Sequence, residues 1–323
     1  MKLLVCHGYG MSSEIFKEMC GSLTNAIGAH HEYVFVDGEV KVNRSSMAEY
    51  IPGRHLAYWD AWSADGIQAA NELMEETLAE HGPFDGALAY SQGGAFVLGY
   101  CLQHLIDRPG VPLPFKFVCF FGTAAALSAD PEYKTKEIMA ALNQLTDAEK
   151  DELHEGFISR KGHKDPREFS VIKENKVQGK EREIFIALID MVQASLGARN
   201  YFGIDESDET KAIDDDSYNL EDFPRFFNAV YTTQKINIPT VHVRGLRDDP
   251  APLKLAELAQ EMCDPTMTQL VRYDGVHEVP HKAEDVLRIR QAIDKAYVMG
   301  QSNHFDIPKI SARPMEQAVM VAA

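Results

Sequence analysis

The sequence predicts a doubly wound, mostly parallel α/β sheet carrying an inserted helical cap. Three observations lead there. Short apolar runs alternate with helix-length segments at both ends of the chain, the alternation stops between Ala124 and Lys235, and one strand meets a helix at a serine.

That junction reads Phe84-Asp-Gly-Ala-Leu-Ala-Tyr-Ser91-Gln-Gly-Gly-Ala-Phe-Val-Leu98. Gly86 to Tyr90 is a short apolar run, as expected of a strand buried on both faces. Ser91 sits at the turn, and Ala95–Ile106 behind it has helical periodicity with no breaker. Ala89 and Gly93 flank the serine at minus two and plus two, where strand and helix meet almost at contact. The string is a small-x-Ser-x-Gly nucleophile elbow with Ala in the first small position. The plainer alternative is a serine that only caps the helix.

The other elements follow in order. Lys2–Cys6 is a strand ending in the glycine-bearing loop His7-Gly-Tyr-Gly10, and Ser12 or Ser13 caps a helix running to Ile27. Glu32–Asp37 is a second strand. Glu39 to Ser63 is irregular and holds both tryptophans, Trp59 and Trp62. A helix from Asp65 to His81 is stopped by Gly82-Pro83. Phe115–Gly122 is a buried strand, Ile238–Gly245 another, then a helix over Leu253–Met262, the last strand Thr268–Tyr273 and a closing helix Ala283–Met299.

Between these halves the chain reads as helices. Lys134–Leu145 is one, and Thr146-Asp-Ala-Glu149 is a capping box opening another. Glu181–Leu196 is amphipathic, with Gly197 expected just past its end. The acidic, aromatic-free run Asp205–Asp216 is expected to be a loop. The sheet domain is thus expected over 1–123 and 236–300, the helical cap over 124–235, and a C-terminal tail over 301–323.

Composition narrows the function classes. A formal net charge of −17 argues against nucleic acid and anionic membrane surfaces as partners. No apolar run is long enough to span a bilayer. The five cysteines are odd in number and scattered through apolar elements, the pattern of reduced buried thiols, so cytoplasmic localisation is the default expectation. The histidines show no metal-ligand spacing, and adjacent His30 and His31 read as a polar linker.

In an open parallel sheet, sites gather at the carboxyl ends of strands. The strand ending at Gly245 is followed by Leu246-Arg-Asp248-Asp249, and the last strand by Asp274-Gly-Val-His277-Glu-Val-Pro-His281. Ser, Asp and His therefore follow in the chain order of an α/β-hydrolase. A serine hydroxyl needs an imidazole to take its proton, and the imidazole needs a carboxylate to fix its tautomer. Ser91 is the candidate nucleophile, His277 the base and Asp248 the orienting acid. Asp249 and His281 are the competing acid and base; Gly-x-x-Asp spacing favours Asp248, and His281 follows Pro280 at a helix start. Oxyanion donors are expected at the backbone of Gln92 and of Tyr9.

Four motifs now resemble one family. Cys-His-Gly-Tyr-Gly, Tyr-Ser-Gln-Gly-Gly, Pro-Thr-Val-His-Val-x-Gly-x-x-Asp and Gly-x-His-x-Val-Pro, in this order, are similar to the fungal serine hydrolase (FSH) family of α/β-hydrolases. The resemblance covers about residues 1–122 and 236–298. It implies hydrolysis of an ester or thioester of a small-molecule acyl substrate without a cofactor, with a polyketide-derived acyl group as one expectation. Ser91, Asp248 and His277 match its catalytic positions. Two departures stand out: Ala89 for Gly, and a cap longer than the connection the resemblance implies.

Other readings stay open on the residues alone. The same fold could run a cyclisation or an acyl transfer, or bind an apolar ligand without chemistry. Ile184, Phe185, Leu188, Met191 and Val192 form an apolar stripe that either packs onto the sheet domain or lines an acyl pocket. The basic stretch Arg160–Arg182 is either a solvated helical face or a docking patch for an acidic acyl-carrier domain.

Overall fold

The computed structural model describes residues 1–42, 52–158, 170–173, 178–204 and 225–304. Six strands form one sheet: β1 (Lys2–Cys6), β2 (Glu32–Val36), β5 (Gly86–Tyr90), β6 (Phe117–Phe121), β7 (Thr240–Gly245) and β8 (Thr268–Tyr273). Their order is β2-β1-β5-β6-β7-β8, and every pairing is parallel. The fold is that of an α/β-hydrolase. The chain winds outward from β1 in both directions, so the connections leave β1 and β5 toward opposite faces. A crevice opens there at the carboxyl edge.

The period of two along each strand divides the core into two layers. Leu3 and Val5 of β1 join one apolar cluster with Phe117, Cys119 and Phe121 of β6. That side is covered by α1 (Ser13–Met19), α2 (Gly21–Gly28) and α10 (Ala283–His304), through Phe16, Leu23, Ile289 and Ile293 among others. Leu4 and Cys6 face the other cluster with Val118 and Phe120. There the cover comes from α3 (Ala64–His81), α4 (Gln92–Asp107), α8 (Gly179–Tyr201) and α9 (Pro250–Glu261). Burial on both faces explains why the strands read as unbroken apolar runs rather than alternating ones. All five cysteines are buried and unpaired. Among the described residues no helix is long and apolar enough to cross a membrane.

Several boundaries differ from expectation for identifiable reasons. The expected helix to Ile27 is two helices meeting at Cys20, which is both the C-cap of α1 and the N-cap of α2. The irregular segment before α3 holds a small antiparallel ribbon, β3 (Val40–Lys41) with β4 (Leu56–Ala57). Helix α9 starts at Pro250 rather than Leu253, because the Asp249 side chain accepts the Ala251 N–H and proline suits a first helical turn.

The largest correction concerns Gly197, which lies inside α8 and does not end it. A Cβ there would lie 2.9 Å from the Cβ of Ala251, so the missing side chain lets α8 and α9 touch. The helix ends instead at Gly203, whose φ of +59° is the left-handed turn a glycine favours. There Gly203 N–H donates to Asn200 and Ile204 N–H to Arg199, a complete Schellman closure.

In the inserted segment, α5 (Thr135–Leu142), α6 (Asp147–Ile158), α7 (Ser170–Lys173) and α8 are the described elements. The Glu149 carboxylate accepts the Thr146 N–H at 2.8 Å, half of the expected capping box. The acidic run 205–216 lies outside the described residues, as do 160–169 and 174–177 of the basic stretch and 305–323 of the tail. Lys173 and Lys180 are exposed. The stripe of Ile184, Phe185, Leu188, Met191 and Val192 is buried in the same cluster as the sheet face.

One buried polar residue in the sheet has a measurable consequence. His242 of β7 is 2 % exposed, packs its ring 5.1 Å from that of Phe120, and leaves Nε2 without a partner. Burial, with Arg244 adding to it, lowers its pKa from 6.5 to about 3. The unfolded chain takes up a proton below 6.5 that the fold refuses, so stability falls as pH drops through this window. By about pH 5 the expected loss is about 2 kcal/mol. His242→Phe is expected to flatten that part of the profile in urea denaturation at neutral and mildly acid pH. An equal slope in both proteins would assign the acid sensitivity elsewhere.

Candidate active site

At the β5–α4 junction Ser91 takes φ 51° and ψ −115°, a conformation costly for a residue with a Cβ, on the order of 1–3 kcal/mol. The surroundings impose it. Ser91 N–H donates to the Phe121 carbonyl at 2.9 Å, while its own carbonyl accepts from Ala95 and Ala124 at 3.1 Å each. Helix α4 then starts hard against β1: a Cβ on Gly93 would lie 2.4 Å from the His7 carbonyl oxygen and 2.6 Å from that of Cys6. This is why the plus-two position must be glycine. Although Ser91 occupies the N-cap position, its side chain makes no capping hydrogen bond. Capping therefore does not explain the serine.

His277 stands on the loop after β8. Its Nδ1 lies 2.8 Å from Asp248 Oδ2, and the two side chains are only 6 % and 4 % exposed. Next to a carboxylate, Nδ1 carries the proton and Nε2 is left as an acceptor. Nε2 is buried and has no hydrogen-bond partner among the described residues. Asp249, the competing acid, instead caps α9. His281, the competing base, is exposed ahead of α10.

The imidazole is held from all sides. The Tyr90 hydroxyl donates to the His277 carbonyl at 2.9 Å, and Tyr273 shares its hydroxyl proton between the carbonyls of Val276 and Glu278. The Phe202 and Tyr90 rings lie 4.7 and 5.3 Å from the imidazole. Gly122, with φ +51°, leaves the space the ring occupies; a Cβ there would be 2.6 Å from His277 Cε1. Gly245 likewise lets the histidine loop approach β7, since its Cβ would meet the Val276 carbonyl at 2.4 Å.

On the opposite side runs the loop after β1. Gly8 lies beneath Tyr90 and Ser91, with room for no Cβ: one would sit 2.9 Å from the Tyr90 ring and 3.3 Å from Ser91 Cβ. His7 fixes this loop in a way the sequence did not reveal. Its Nε2 accepts the Gly38 N–H at 3.0 Å, so the ring is neutral and Nδ1 carries the proton. Nδ1 donates to the Gly8 carbonyl at 2.7 Å. In a trans peptide this turns the Tyr9 N–H to the opposite side. Burial lowers the His7 pKa, which keeps the ring neutral. Gln92 is also fixed: its side chain accepts from Tyr58 N–H at 3.1 Å and donates to the Trp59 carbonyl at 2.6 Å.

Ser91, Gln92, Tyr9 and His277 all line one cavity of about 800 Å³, counted with its open mouth. Trp59 and Trp62 form one wall. The roof is the last part of α8, where Ser195, Ala198, Arg199 and Phe202 recur at helical spacing. The apolar stripe earlier in α8 does not reach the cavity. Ending that helix at Gly197 on sequence grounds would have removed Arg199 and Phe202 from the roof.

Comparison with known proteins identifies a family. The profile of the Serine hydrolase (FSH1) family matches residues 1–289, running through the inserted segment as well as the sheet. Esterase alnB of Emericella nidulans is 28% identical over 304 residues, which cover 94% of this chain and 99% of that one. Hydrolase FUB4 of Gibberella moniliformis is 22% identical over 300 residues, 92% of this chain and 99% of that one. Among solved structures, SOBER1 of Arabidopsis thaliana covers 92% of this chain and 98% of its own, at 9% identity and a TM-score of 0.43. With its family matched along most of its length and its relatives named as esterases and hydrolases, this chain is an enzyme of the serine hydrolase (FSH1) family.

Proposed function

We propose that the protein is a serine esterase or thioesterase that cleaves a largely apolar acyl group through an acyl-enzyme on Ser91. One observation carries the reading: a strained, uncapped serine shares a cavity with a histidine whose Nδ1 is held by a buried carboxylate and whose Nε2 has no partner. In this reading Ser91 Oγ attacks the acyl carbonyl as His277 Nε2 takes its proton. Asp248 keeps the proton on Nδ1 and stabilises the imidazolium. The tetrahedral oxyanion is held by the backbone N–H groups of Gln92, first residue of α4, and Tyr9, whose peptide His7 orients. His277 then returns its proton to the leaving alcohol or thiol, and water repeats the sequence to free the acid. Trp59, Trp62 and Phe202 favour an apolar acyl chain and limit water around it. An acyl product of fungal secondary metabolism is a natural candidate, since the resemblance is to fungal serine hydrolases.

Covalent labelling tests the nucleophile. A fluorophosphonate is expected to add one mass increment to the wild-type chain and none to Ser91→Ala; an unlabelled, folded wild type together with absent ester turnover would refute the reading.

The two neighbouring aspartates should separate cleanly. Asp248→Asn is expected to lower kcat by about 10³–10⁴-fold through the wrong imidazole tautomer. Asp249→Ala removes a helix cap instead, lowering stability by about 1 kcal/mol while turnover is largely kept. Equal activity losses in both would contradict the assignment.

Gly122→Ala places a methyl group against the imidazole and demands a left-handed alanine. Its expected signature is a fall in kcat on aryl esters, with slower fluorophosphonate labelling. Unchanged labelling would show that His277 tolerates displacement.

A further inference from the structure

The roof of the cavity holds one group that the hydrolytic reading does not use. Arg199, on the last turn of α8, lines the cavity shared with Ser91 and His277. Its guanidinium lies 5.9 Å from the centre of the Trp62 ring, and Nη1 donates to the backbone carbonyl of Asp60 at 3.3 Å. Nη2 is buried and has no hydrogen-bond partner among the described residues. No carboxylate among the described residues forms an ion pair with it. The nearest candidate, Asp60, is engaged by the Tyr9 hydroxyl at 2.5 Å and acts on Arg199 only at longer range.

An arginine cannot lose its charge to escape burial. Taking it out of water with a donor unsatisfied is costly, and the cost falls when an anion completes the set. In a chain of net charge −17, a cation that forms no ion pair among the described residues, in the cavity that holds Ser91, is not explained by general surface charge. A planar guanidinium stacked near an indole offers a rigid fork for two oxygens.

We propose that Arg199 selects acyl groups carrying a second, anionic oxygen, a carboxylate or the enolate of a β-dicarbonyl, placed away from the bond that is cleaved. The inference rests on the esterase reading for its substrates, but not for its binding test. The apolar walls accept the carbon chain, and Arg199 reads its acidic end or branch.

The test compares N-acetylcysteamine thioesters in matched pairs across a chain-length series. One arm sets ω-carboxyacyl groups against the corresponding ω-amides, and a second sets β-ketoacyl groups against their saturated counterparts. Wild type is expected to favour the acidic member of at least one arm by about tenfold or more in kcat/KM, as a charge-assisted hydrogen bond permits. The preference should collapse toward one in Arg199→Gln and survive in part in Arg199→Lys. The arm that responds tells carboxylate from enolate. Equal ratios in wild type and Arg199→Gln, or a wild-type preference for the neutral partner in both arms, would overturn the proposal.

Binding separates this result from the chemistry. In the Ser91→Ala protein, calorimetric affinity for the ω-carboxyacyl and β-ketoacyl thioesters is expected to exceed that for their amide or saturated partners, and to lose that margin with Arg199→Gln added. If no thioester or ester is turned over by any form, the esterase reading fails, and the calorimetric comparison alone decides on Arg199: a margin that depends on Arg199 supports its role, and an absent or unchanged one rejects it.

Discussion

Everything at the site depends on one close approach, that of the first turn of α4 to the end of β1. With the Cys6 and His7 carbonyls within 2.4 to 2.6 Å of where a Gly93 Cβ would stand, the chain has no slack between β5 and α4. The turn must be completed at Ser91, with positive φ, under tension from both sides. The same contact brings the His7–Gly8–Tyr9 backbone beside the serine. The proposed oxyanion donors and nucleophile are thus placed by a single packing constraint at the point where the strand order reverses. Because the constraint acts on backbone atoms, no side-chain rearrangement elsewhere can relieve it.

Most of the sheet and the three polar residues around the cavity were legible in the sequence. Parallel strands buried on both faces announce themselves as apolar runs, and residues at their carboxyl ends can be read off by position. Gly-x-x-Asp spacing favours Asp248 over Asp249; the structure adds that Asp249 caps α9, and a capping carboxylate is not free to orient an imidazole.

Part of what the sequence hid has one physical cause: glycine is ambiguous. Gly197 looked like a helix end because glycine commonly follows one, yet it serves a helix–helix contact, and Gly203 makes the actual turn. Only tertiary packing distinguishes the two uses. That single ambiguity concealed Arg199 and Phe202, and the indole and imidazole they approach. His7 was concealed differently. Its partners are the backbone groups of Gly8 and Gly38, and no spacing rule connects a histidine to a loop some thirty residues on.

Helix α8 has two unequal halves. Ile184, Phe185, Leu188, Met191 and Val192 are sealed into the core, while Ser195, Ala198, Arg199 and Phe202 line the cavity, and Gly197 anchors this second half to α9. Change in the first half, or at Gly197, is paid in stability; change at Arg199 alters chiefly what the roof presents. A lineage can therefore exchange roof residues one at a time and acquire new substrates while the scaffold holds still.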